Sequence, residues 1–188
     1  MLATHEKTAL SAKEKILHAA HDLFYADGIK ATGIDKIIAT SGVTKVTFYR
    51  HFPSKNQLIL SYLDHRHALW MAWFTGALSA RLAAGDSREQ ALAATLCDWF
   101  SDADFRGCAF INATAEAGEL LEDIKAITRS HKAEMMAAVG HQLDIDDADT
   151  LEMAGMLIDG AIVHAQMGRD PRQITRLLQT SLTPLLAQ

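Results

Sequence analysis

Apolar residues in this chain return every three or four positions over long stretches, and only three prolines interrupt its 188 residues. A helix brings a side chain back to the same face about every 3.6 residues, whereas a strand alternates faces, so this spacing commits the chain to helices. Ser11 followed by Glu14 is a capping box that opens a first helix. Ile16, Leu17, Ala20, Leu23 and Phe24 supply that helix's apolar face, and Gly28 stops it after Ala26. A second segment runs from Ile34 to Ser41-Gly42, and a third from Thr44 to His51, closed by Pro53. Ser54 caps a fourth, long helix that ends at Gly85-Asp86, and Ser87 opens a fifth. Further helices are expected over 105–118, 120–142, 147–167 and 172–187, with breaks at Gly118, at 144–149 and at 168–171. No alternating strand, internal repeat or low-complexity tract interrupts this pattern. The expectation is an all-α chain of about nine helices, with a three-helix domain over 1–54 and a helical bundle over 55–188.

Composition narrows the class of protein. Hydrophobic residues make up 49% of the chain, enough for a packed core. The longest uncharged run, Ala68 to Ala80, has 13 residues, too few for a membrane-spanning helix. The N-terminus has no signal-peptide pattern, and two cysteines, Cys97 and Cys108, make no disulfide framework. A cytoplasmic protein with reduced thiols and no membrane partner is expected. The net charge is −5, but it is unevenly spread. Residues 1–55 hold eight Lys or Arg against five Asp or Glu, and the remainder holds ten against eighteen. A basic N-terminal end suits phosphates; an acidic remainder does not.

The run TGIDKIIATSGVTKVTFYRHFPSK over 32–55 holds the clearest functional signal. Two short helices joined by a turn with glycine at its centre form a helix-turn-helix, with Ile34, Ile37 and Ile38 as the packed face of the first. Gly42 falls where the chain turns sharply. The second helix begins with Thr44, Lys45 and Thr47, and a helix of this kind lays its N-terminal residues in the DNA major groove. Lys45, Thr47, Tyr49, Arg50, His51 and Lys55 crowd within eleven residues, more phosphate-compatible groups than a structural corner needs.

The same run, through its fragments ATGIDKII, SGV and TFYRHFPSKNQLI, resembles the DNA-binding domain of the tetracycline-repressor (TetR) family, and the similarity extends over roughly residues 10–60. Ile38 stands where many members carry alanine. The resemblance implies an Ω-shaped homodimer, a palindromic operator of double-stranded DNA, and repression relieved by a small-molecule effector. It places Lys45 and Thr47 on base edges, and Thr32, Thr44, Tyr49, His51 and Lys55 on phosphates. Phe48 and Phe52 are expected to anchor the recognition helix to the domain core.

Beyond residue 60 the residues themselves carry the reading. Aromatic side chains collect on helices four to six, and an apolar pocket with a few polar groups is how helical bundles hold small ligands. Trp70, Trp73, Phe74, Trp99 and Phe110 are the candidate walls, with Asn112, Glu116, His131 and His164 as polar groups. The segment Phe105 to Glu116 resembles a TetR subgroup with a Gly-Cys pair at the start of helix six. Cys108 follows Arg106 near a helix N-terminus, and both features favour a thiolate, so a redox or electrophile sensor is an alternative. A helical ligand-binding protein without DNA is a second alternative. No nucleophile–base pair or metal-ligand spacing appears, so neither an enzyme nor a metal or cofactor site is expected. Helix eight, with Leu151, Ala154, Leu157, Ile158, Ala161, Ile162 and Ala165, and helix nine, with Ile174, Leu177, Leu178, Leu182 and Leu185, are the expected dimer surface. Gly155 and Gly160 within helix eight suggest close approach of a neighbouring helix.

Overall fold

The computed structural model describes residues 10–117 and 120–187, which form nine α-helices and no strand. In chain order they are α1 (Ala12–Asp27), α2 (Ile34–Ser41), α3 (Lys45–His51), α4 (Lys55–Ala83) and α5 (Arg88–Phe100), then α6 (Ala109–Glu116), α7 (Leu121–Leu143), α8 (Ala148–Gln166) and α9 (Pro171–Leu185). Among the described residues, no helix is long and apolar enough to cross a membrane.

Polar residues at the helix starts explain where most of these elements begin. Ser11 and Glu14 exchange hydrogen bonds as a capping box, at 2.7 and 3.3 Å. Ser54 accepts from the amide of Gln57, and Ser87 forms a second capping box with Gln90. Asp147 caps α8 by accepting from the Thr150 amide at 2.8 Å, and these bonds hold its carboxyl below the usual range. Asp170 caps α9, with Pro171 in the first turn where its missing N–H costs nothing. Helix α6 is shorter than expected. It begins at Ala109 rather than near 105, because Gly107 takes φ +88° and the chain ahead of it turns. The expected break at Gly118 lies outside the described residues.

The chain divides into two compact units. The first is the chain up to Leu69 together with Ala109–Thr128, and the second is Trp70–Cys108 together with the chain from Arg129 onward. In the first unit α1 packs on α2 and α3. Its core holds Ile16, Ala20 and Phe24 of α1 at helical spacing, with Ile37, Phe48, Phe52, Leu58 and Tyr62. Phe24 meets Tyr62 edge to face at 5.4 Å. Arg66 is buried yet satisfied: its guanidinium lies 4.0 Å from the Tyr25 ring centroid and 3.3 Å from His21 Nε2.

In the second unit α9 packs between α5 and α8. Arg88, at the start of α5, donates to the carbonyls of Leu143 and Leu186, at 2.9 and 2.5 Å. One guanidinium thereby satisfies the C-terminal ends of both α7 and α9, where carbonyls lack intrahelical partners. Lys132 of α7 pairs with Asp159 of α8.

The expected dimer face of helix eight is turned inward instead. Ala154, Ile158, Ala161, Ile162 and Ala165 are buried within the subunit, and so are Ile174, Leu178 and Leu182 of α9. These residues pack α8 and α9 against the rest of their own unit. A different apolar stripe of α8 is exposed: Met153, Met156, Val163 and Met167, the second and last at 61% and 63% exposure, with Leu177 of α9 also uncovered.

Candidate nucleic-acid interface

The helix-turn-helix is built around a left-handed residue. Gly42 takes φ +68°, and its amide still donates to Ile38 O at 3.1 Å, so α2 ends in a tight turn that a β-carbon would strain. Two residues later Thr44 is extended, and its hydroxyl accepts from the Thr47 amide at 3.2 Å, which starts α3. The hydroxyls of Thr44 and Thr47 lie 2.9 Å apart. Phe48 and Phe52 are fully buried one turn apart, as expected, their ring centroids 6.4 Å from each other.

With those two rings inward, the opposite side of α3 faces outward. Thr44, Lys45, Val46, Tyr49 and Arg50 are exposed, and Thr47 and His51 are half-buried. Tyr49 stands edge-on to Phe48 at 5.3 Å, which fixes its ring while leaving it accessible. Lys45 Nζ is 3.9 Å from Asp35, both side chains well exposed, so this pair is worth little and leaves the ammonium available. Arg50 and His51 in the last turn complement the helix dipole.

Val46 is the residue that sequence reasoning missed. It is the most exposed large apolar side chain among the described residues, at 79%, and it sits between Lys45 and Thr47. The signal was present: Val46 is out of step with the buried pair Phe48 and Phe52, so it cannot serve the core. An exposed apolar group on such a helix suits the methyl group of thymine.

Two expected phosphate contacts are placed otherwise. Thr32 is 0% exposed, and its hydroxyl donates to Gly28 O at 2.8 Å and Leu23 O at 3.3 Å, so it fastens the end of α1 rather than facing outward. The Lys55 ammonium turns inward, donating to Ile29 O at 2.6 Å and standing 5.9 Å from the Phe24 ring centroid. Burial pushes the Lys55 pKa down, against the raising pull of Glu116.

The candidate ligand residues fall in both units. Trp70, Phe74, Trp99 and His131 are buried together in the second. The Trp70 ring stacks on Phe74 at 4.6 Å and meets Trp99 and His131 edge to face at 5.3 and 5.4 Å; half-buried Trp73 adds a tilted contact at 6.3 Å. The Trp70 Nε1 donor is buried without a hydrogen-bond partner among the described residues. His164 departs from the expectation: it is exposed on α8, 3.3 Å from Arg169, and forms no part of this aromatic group. Phe110, Asn112 and Glu116 belong to the first unit, where Phe110 is buried edge-on to His67 and Asn112 is half-buried. Glu116 is committed to the backbone: its carboxylate accepts from the Lys30 amide at 2.8 Å. Cys108 is buried at 3% exposure, and Arg106 donates to the carbonyls of Ala103 and Phe105, an arrangement that favours a packed thiol over an accessible sensor.

Residues 16–62, which run from within α1 into α4 and include the helix-turn-helix, match the family described as bacterial regulatory proteins, tetR family. A TetR-family transcriptional regulator from Streptomyces coelicolor has a similar structure, with a TM-score of 0.77 and 29% identity, covering 94% of each chain. An uncharacterized HTH-type transcriptional regulator of Lactococcus lactis is 29% identical over 120 residues, 61% of this chain and 59% of that protein. The transcriptional repressor NemR of Escherichia coli is 25% identical over 125 residues, 65% of this chain and 62% of the repressor. The chain thus spans about three fifths of the length of these curated relatives.

The Thr32 assignment has a measurable consequence. Thr32→Val keeps the volume but removes the hydroxyl that donates to Gly28 O, just past α1, and to Leu23 O. Its unfolding free energy by urea denaturation is expected to fall by about 1–2 kcal/mol. An unchanged midpoint would mean the hydroxyl does not hold α1.

Proposed function

We propose, because residues 16–62 match the tetR family of bacterial regulatory proteins, that the chain is a DNA-binding transcriptional repressor that acts as a homodimer on a palindromic operator and is released by a small molecule. The observation that carries this reading is the outward face of α3 and its cap, where Thr44, Lys45, Val46 and Tyr49 are exposed above two buried phenylalanines. Lys45 and Thr47 read base edges, Val46 covers a thymine methyl, and Thr44, Tyr49 and His51 meet phosphates.

Mobility shift on the DNA upstream of the protein's own gene tests this. Saturable binding that weakens steeply with salt and survives unrelated competitor DNA is the expected result. Lys45→Ala is expected to weaken binding, with a shallower salt slope if the ammonium also neutralises a phosphate. Replacing the contacted thymine by deoxyuridine removes only its methyl group and is expected to weaken wild-type binding about fourfold, from roughly 0.8 kcal/mol per buried carbon, with no further loss in Val46→Ala. Binding that any DNA removes equally would contradict the operator reading.

The dimer surface we propose is the uncovered stripe of α8, Met153, Met156, Val163 and Met167, extended by Leu177 of α9. Gly160 lies in the same stripe, and a β-carbon there would meet nothing within 4 Å, which leaves room for a partner helix. Two copies of this face form an isologous four-helix contact. Sedimentation of the double variant Met156→Asp, Val163→Asp is expected to show a monomer with operator affinity largely lost; a persisting dimer would place the interface elsewhere.

The aromatic group of the second unit is the proposed effector site, supported by the unpartnered Trp70 N–H, which suits an acceptor such as a carbonyl oxygen. All three tryptophans belong to this group. Carbonyl-bearing bicyclic aromatics are therefore expected to quench the protein's fluorescence, and less strongly in Trp70→Phe when the two remaining tryptophans are compared at equal probe. Quenching with equal affinity in both proteins would remove Trp70 from the site.

A further inference from the structure

The connection between α1 and α2 is gripped by two charged side chains from distant parts of the chain. Lys55 opens α4 and donates to Ile29 O, while Glu116 closes α6 and accepts from Lys30 N, 86 residues away in sequence. The carboxylate also lies against Gly28, at φ +91°: a β-carbon there would fall 3.1 and 3.2 Å from its two oxygens. Four backbone groups in this short stretch have defined partners. The Gly28 amide donates to Phe24 O and its carbonyl accepts from Thr32, the Ile29 carbonyl accepts from Lys55, and the Lys30 amide goes to Glu116.

Glu116 gains nothing from its own helix. It is the last residue of α6, where unpaired carbonyls and the negative end of the dipole disfavour a carboxylate. Its favourable partners among the described residues lie outside α6: the Lys30 amide in the α1–α2 connection, and the Lys55 ammonium at the start of α4, whose charge Glu116 supports against burial. Helix α6 is itself tied to α7 by the hydroxyls of Thr114 and Thr128, 3.0 Å apart, and by Thr128 on Phe110 O. Four residues after Lys30, α2 begins and leads directly into the turn at Gly42 and α3.

We propose that Glu116 is a positioning residue for the helix-turn-helix: by fastening the Lys30 amide to the end of α6, it sets the pose of α2 and α3 and thereby the affinity for DNA, without touching DNA. The proposal rests on the DNA-binding reading above. Its test compares wild type, Glu116→Gln and Glu116→Ala by amide hydrogen exchange at Lys30 and by affinity for a duplex that wild type selects from a random-sequence library. Glutamine keeps an oxygen for the Lys30 amide; alanine does not. In Glu116→Ala the Lys30 amide is expected to exchange at least tenfold faster and DNA affinity to fall about fivefold or more, with the glutamine variant recovering most of both. Protection at Lys30 retained in Glu116→Ala, DNA affinity within twofold of wild type, or equal losses in both variants would each overturn it. If wild type selects no duplex, the DNA-binding reading falls and this proposal with it; unchanged affinity of Glu116→Ala for a duplex that wild type binds would defeat the proposal alone.

Discussion

The reading face of α3 depends on the burial of Phe48 and Phe52. Seven residues are far too few for a helix to persist in water on local hydrogen bonds alone, because nucleation consumes most of what a single extra turn returns. Two fully buried aromatic rings, each worth several kcal/mol when lost from a core, supply what the backbone cannot. The same two rings decide orientation. Once they point at α1, helical spacing leaves Lys45, Val46 and Tyr49 no place but outside. Gly42 and Thr44 add the geometry of the turn and the cap, and so fix where the helix starts rather than whether it forms.

A second constraint operates behind the reading face, where polar groups are used as fasteners. Thr32, Lys55 and Glu116 all direct their polar atoms at backbone groups of residues 23–30. Loop backbone needs partners when it is taken out of water, and here side chains provide them. The stretch joining α1 to α2 is therefore tied by side chains of three elements outside it or at its end.

Much of this is legible in the sequence, and the departures have distinct physical causes. The all-α class, the helix order, the caps at Ser11, Ser54 and Ser87, and the inward Phe48 and Phe52 all follow from spacing within one or two turns of chain. Thr32 and Lys55 are expected on phosphates and Glu116 in a ligand pocket, because a polar residue in a motif does not reveal which side its partner lies on. For Glu116 that partner is 86 residues away. Helix α8 failed differently. It carries two apolar stripes, and the Ala154–Ile158–Ala161–Ala165 series looks at least as apolar as the methionine series that is exposed. Periodicity finds a stripe but cannot say whether its cover comes from the same subunit. Val46 was readable and overlooked, since its register excludes it from the core.

On the function proposed above, α3 reads DNA as one of a symmetric pair. Hydroxyl-radical footprinting of the wild-type protein on its own upstream DNA tests that most directly. Two protected half-sites related by a two-fold axis, their centres separated by about one helical turn or a multiple of it, roughly 10–10.5 base pairs per turn, are the expected pattern. Protection of a single half-site, or diffuse protection that spreads with protein concentration and shows no symmetry, would contradict it.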